Sequence, residues 1–133
     1  MAEHPNVATV RNAYEAFGKG DLDGALADLA DDCVFHFGGE GPLSGDHKGR
    51  EAISKALIGT FELTGGTQAL DIKGIYADDE HAVVVLHETA SRPDGASLDL
   101  DEVHVLSLRD GKVTDLWDLP EDPQAHDDFF DGK

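Results

Sequence analysis

The chain has 133 residues, 40% of them hydrophobic, and 28 acidic against 10 basic side chains give a net charge of −18. That length suits one domain spanning 1–133 with a single core, and the acidic balance argues against nucleic acid and anionic membrane surfaces as partners. No apolar run approaches a membrane span, residues 1–17 lack the basic-then-apolar order of a secretory signal, and the lone Cys33 cannot form an internal disulfide, so the cytoplasm is the expected location.

Residues 5–17 predict a helix, with Pro5 in its first turn and Val7, Val10, Tyr14 and Phe17 on one apolar face. Gly18 and Gly20 end it, and Asp21 caps a second helix over 22–30 with Leu22, Leu26 and Leu29 inward. Residues 33–37 (CVFHF) predict a short strand with Cys33, Phe35 and Phe37 on one face and Val34 and His36 on the other. After a glycine-rich loop over 38–49, a third helix over about 50–63 buries Ile53, Leu57, Phe61 and Ile58, and Gly65-Gly66 stops it. The remainder is β: strands over 68–77 and 81–90, the second almost continuously apolar, then a turn at residues 92–95. An acidic tail begins at about 121, in which Phe129-Phe130 is a docking element.

Residues 98–119, LDLDEVHVLSLRDGKVTDLWDL, organise the rest. Asp110-Gly111 is a hairpin signal. Period-two alternation puts Leu98, Leu100, Glu102, His104, Leu106 and Leu108 on one face; on the next strand Leu116 and Asp118 oppose Val113, Asp115, Trp117 and Leu119. A carboxylate and an imidazole in a leucine row are costly unless paired or lining a pocket. Asp118 in an apolar pocket is then a general base with a raised pKa. His104 is an electrophilic partner or a satisfied core histidine, and Glu102 orients His104 or is solvated. Tyr14 is a hydrogen-bond donor to the pocket or plain core. Phe17, Phe35, Phe37 and Leu116 are candidate substrate-binding walls. His36 and Trp117 alternate toward the outer face or a dimer surface and are carried as further wall candidates. Among the seven histidines no pair has zinc-helix spacing, Glu102 and His104 lack an evident third ligand, and no phosphate loop is present, so no metal and no cofactor are expected.

Helices first and hairpin-linked strands later predict an α+β fold, a cone-shaped barrel in which three helices pack on a curved, mostly antiparallel sheet around a pocket. The order resembles the nuclear transport factor 2-like superfamily. The local text agrees: Tyr14-Glu15-Ala16-Phe17, then Gly20-Asp21-Leu22-Asp23-Gly24, then Gly45-Asp46-His47-Lys48-Gly49-Arg50-Glu51-Ala52-Ile53, and Arg109-Asp110-Gly111-Lys112-Val113 at the last hairpin. Within it, the positions of the ketosteroid isomerase tyrosine, base and acid fall on Ala13, Phe37 and His104, which differ. Glu102, His104 and Asp118 match places used by SnoaL-like polyketide cyclases, whose aspartate acts as acid and base in an aldol closure. The resemblance implies a cofactor-independent cyclase, isomerase or dehydratase, or else a non-catalytic binding protein. Its partner is a small hydrophobic carbonyl compound, and a homodimer forms through the outer sheet face.

Overall fold

The computed structural model describes residues 3–41 and 43–133. Helix α1 (Pro5–Gly18) starts with Pro5 in its first turn, and the His4 ring accepts from the Asn6 amide. Asp21 caps α2 (Leu22–Leu26) by accepting from the Gly24 amide at 3.0 Å. Helix α2 is shorter than its sequence predicts. Leu29 is drawn instead into strand β1 (Leu29–Phe37), where it pairs with Val113, and tertiary pairing overrides a weak local helix preference. Strand β2 (Gly45–Lys48) pairs with β1 and leads into α3 (Arg50–Thr64), which ends on Gly65 in the left-handed region. Ile53, Ala56, Thr60 and Thr64 are its buried positions; Ile58 is exposed, contrary to expectation. Alanine and threonine take the inward face because the Thr60 and Thr64 hydroxyls donate to carbonyls within the helix.

Strands β3 (Ala69–Ala77), β4 (His81–Ser91), β5 (Ser97–Arg109) and β6 (Lys112–Pro120) form an antiparallel meander. The β5–β6 turn has Asp110 and Gly111 at φ 53° and 77°, the two positive values that a tight hairpin requires. The sheet order is β2-β1-β6-β5-β4-β3, antiparallel except for the β1–β6 pair. It is an open curved sheet rather than a closed barrel, with β2 and β3 at its edges. Helix α4 (Pro123–Phe130) follows and occupies the expected tail.

The main core lies between the sheet's inner face and the helices, around Val10, Leu29, Cys33, Phe35, Ile53 and Leu86. Strand β5 alternates as expected, with Leu98, Leu100, Glu102, His104, Leu106 and Leu108 inward. On β6 the register shifts: Ser107 faces Asp115 but Leu108 faces Val113, so Thr114 is an extra residue. This bulge returns Val113 to the face of Leu116 and Asp118, and the predicted alternation fails there. A second cluster joins Ala90, Leu98 and Leu100 to Phe129 of α4. Arg92, itself buried, donates to the carbonyls of Phe129 (2.7 Å) and Lys133 (3.1 Å) and so fastens α4 to the sheet. Among the described residues no helix is long and apolar enough to cross a membrane.

Candidate functional site

The sheet and helices enclose a cavity of about 130 Å³, close to the size that holds one aromatic ring in engineered apolar cavities. Val10, Phe17, Phe35, Phe37, Leu57 and Leu116 supply apolar wall. Tyr14, Glu88, His104, Asp118 and His126 also line it.

Five elements bring these polar groups together. His104 and Asp118 are direct neighbours across β5 and β6. Glu102 is two residues along β5 on the same inward face. Glu88 sits on the inward row of β4 opposite Leu100, diagonal to Glu102. Helix α4 carries His126 over them. The Tyr14 hydroxyl of α1 lies 2.5 Å from His104 Nδ1, and His104 Nε2 lies 3.3 Å from Asp118 Oδ1. With the ring proton on Nε2 toward the carboxylate, Nδ1 accepts the phenol proton. On the other side His126 Nε2 is met by three carboxylates: Glu102 Oε1 at 3.0 Å, Asp118 Oδ2 at 3.2 Å and Glu88 Oε1 at 3.4 Å. The amide of Gln68 donates to Glu88 Oε2 at 2.6 Å.

This geometry splits the carboxyls. Burial alone raises Asp118, but its contacts with the His104 ring, then with the His126 ring, outweigh it and hold Asp118 below the ordinary carboxylate range. The expected raised pKa is thereby corrected: the pocket is apolar, yet Asp118 sits between two rings. Burial pushes Glu102 up to about 10, with Glu88 and Asp118 adding to the rise against His126, so Glu102 is a neutral acid. Glu88 is buried too, but His126, Glu102 and Gln68 draw it down. Burial lowers His126, but its three carboxyl neighbours raise it to about 12. Burial, then the charge of Asp118, keep Tyr14 a phenol well above its usual range.

Tyr14, His104, Asp118, Glu102, Phe17, Phe35, Phe37 and Leu116 therefore converge on one site. Two expectations are corrected in detail. Glu102 lies against His126, while the two nitrogens of His104 face Tyr14 and Asp118, so Asp118 and not Glu102 orients that ring. His36 and Trp117 do not wall the cavity; they stack on each other at 4.8 Å on the outer face, where His36 is held by Asp46 and Asp115. Strand alternation turns them away from Phe35 and Asp118.

Sequence reasoning missed Glu88 and His126. Glu88 interrupts the inward row Ala82, Val84, Leu86, Ala90, the same signal that marked Glu102. His126 follows Asp122-Pro123, a helix-start signal, and shares the docking helix with Phe129 and Phe130.

An α+β cone with an apolar pocket and a polar inner end has the nuclear transport factor 2-like fold. The model of the SnoaL-like domain family matches residues 10–116, and the chain belongs to that family. Among solved structures it is similar to Bal32a from a soil-derived mobile gene cassette, 32% identical with 94% of this chain and 95% of that one covered and a TM-score of 0.87. It shares its fold with TerC co-crystallised with polyporic acid (24% identity, 96% and 98% covered, TM-score 0.84). It also shares it with a putative SnoaL-like polyketide cyclase from Jannaschia sp. CCS1 (18% identity, 91% of each chain covered, TM-score 0.76).

Proposed function

We propose that this protein moves a proton on a small hydrophobic carbonyl compound, as a cyclase, isomerase or dehydratase that needs no organic cofactor. The observation that carries the reading is the line Tyr14–His104–Asp118 at the edge of an apolar cavity. Because Asp118 is held as an anion, it is a weak base, and the working pair becomes Tyr14 and His104. As the Tyr14 oxygen takes a proton from carbon next to the substrate carbonyl, its own proton passes to His104 Nδ1. The imidazolium so formed is balanced by Asp118, and the reverse transfer returns the proton to another carbon or to a leaving oxygen. Glu102 does not reach substrate; it and His126 position Asp118. Two copies would pair through the outer sheet face, where Tyr76, Trp117 and Leu119 are exposed.

The test is hydrogen–deuterium exchange at the α-carbon of enones and polyketide-like β-dicarbonyls, followed by NMR with wild-type protein and Tyr14→Phe. Exchange that falls about a hundredfold in Tyr14→Phe, with ligand affinity kept, is expected. Ligands that bind wild type without exchange would instead establish a non-catalytic binding protein. The low proton affinity of Asp118 favours that second reading, since a binder needs no buried base.

A further inference from the structure

Around His126 three carboxylate oxygens converge at 3.0, 3.2 and 3.4 Å from one ring nitrogen. Ligands about 2.0–2.2 Å from a divalent first-row ion lie about 3.0 Å apart at right angles and about 3.4 Å apart at the tetrahedral angle. The spacings from His126 Nε2 to these oxygens fall in the range between neighbouring ligands of such an ion. The donor atoms of Glu88, Glu102 and His126 all fall within 4.8 Å of one another, as do those of Glu102, His104 and Asp118. Glu102 has a side chain that is 0% exposed; its Oε1 meets His126 Nε2 at 3.0 Å without hydrogen-bond geometry, and its Oε2 has no hydrogen-bond partner. Buried carboxylate oxygens are rarely left so.

The geometry points to a divalent transition-metal site formed by Glu88, Glu102 and His126, with Asp118 beside it. Carboxylate oxygens and one imidazole nitrogen, without thiolate, suit Zn²⁺, Mn²⁺ or Fe²⁺ better than copper(I) or Ca²⁺. Glu88, Asp118 and His126 all line the cavity, so an ion here touches the same space that a substrate would fill. The partners that the sequence did not reveal for Glu102 thus come from β4 (Glu88) and α4 (His126). This site stands whether or not the protein turns over a substrate.

The experiment is titration of chelator-treated full-length protein with Zn²⁺ alone by calorimetry, and with Co²⁺ alone by visible absorption. Saturable 1:1 binding is expected, weakened at least tenfold in both Glu102→Gln and His126→Gln. Glu102→Gln copies the shape of the neutral acid and keeps the fold, so its loss of affinity is not an unfolding effect; circular dichroism checks this. His87→Gln removes the surface histidine held by Asp99 and Asp101, and should leave binding unchanged. No saturable binding, or binding lost in His87→Gln but kept in Glu102→Gln, would overturn the assignment.

Discussion

The Tyr14 hydroxyl and His104 Nδ1 lie 2.5 Å apart, tying the first helix to the fifth strand inside the cone. Tyr14→Phe removes the hydroxyl and leaves a buried ring nitrogen without its partner. A loss of about 1–3 kcal/mol is expected, read as a lower urea midpoint at unchanged slope. A midpoint equal to wild type would mean that the contact contributes nothing to the fold.

Stability should fall as pH rises above neutrality. Unfolded, Glu102 loses its proton near 4.5 and His126 near 6.5; folded, they hold it to about 10 and about 12. The native state therefore binds more protons between these limits, and each group removes stability as pH rises through its window. Asp118 acts in the opposite sense: its lowered pKa gives stability that is present above 3.8 and lost in acid. The optimum lies between these windows, at mildly acidic pH. Glu102→Gln removes one of the two falling contributions, so the slope between pH 7 and 9 should be about halved. Thermal melts across that range check it, and an unchanged slope would show that Glu102 is ionised in the native state.

Arg92→Met should loosen α4 without unfolding the sheet. The guanidinium holds the Phe129 and Lys133 carbonyls and lies 5.3 Å from the Phe129 ring centroid. Methionine keeps apolar bulk but donates nothing. Amide exchange by mass spectrometry should show protection lost over residues 123–130 and kept in β4 and β5. Uniform loss in all three would point to global destabilisation instead.

Trp117→Phe should leave ligand affinity within about twofold, because Trp117 stacks on His36 outside the cavity; a twofold change corresponds to roughly 0.4 kcal/mol. A tenfold loss would restore it as a wall residue. The same substitution should weaken any pairing of two copies through the outer face, read by sedimentation.

The leucine row of β5, with its Glu102 and His104, was legible because alternation is a local rule. So was the Asp110-Gly111 turn, whose positive φ angles follow from residue type. Thr114 broke the same rule on β6: nothing in the local text marks a bulge, which forms because Val113 must meet Leu29 across the parallel pair. The charge state of Asp118 was not legible either. It depends on His104 across the hairpin, on His126, brought from α4 by Arg92 and Phe129, and on which carboxyl of a crowded set keeps its proton. Burial of Asp118 was foreseeable from its row; its partners were set by tertiary packing.

The parallel β1–β6 pair sets the order in which this molecule assembles. The β3–β6 meander closes through hairpins between neighbours in sequence, each needing only a short loop. Strand β1 must instead find β6 across most of the chain, matching Phe35 with Leu116 and His36 with Trp117. Long-range pairing of this kind is slow, because loop-closure entropy is lost before any contact compensates it. The meander is therefore the earlier product of folding, and Phe35 and Phe37 arrive late. Until they do, the inner row of β5 and β6 is bare to water, and the hollow that receives a ligand has no second wall.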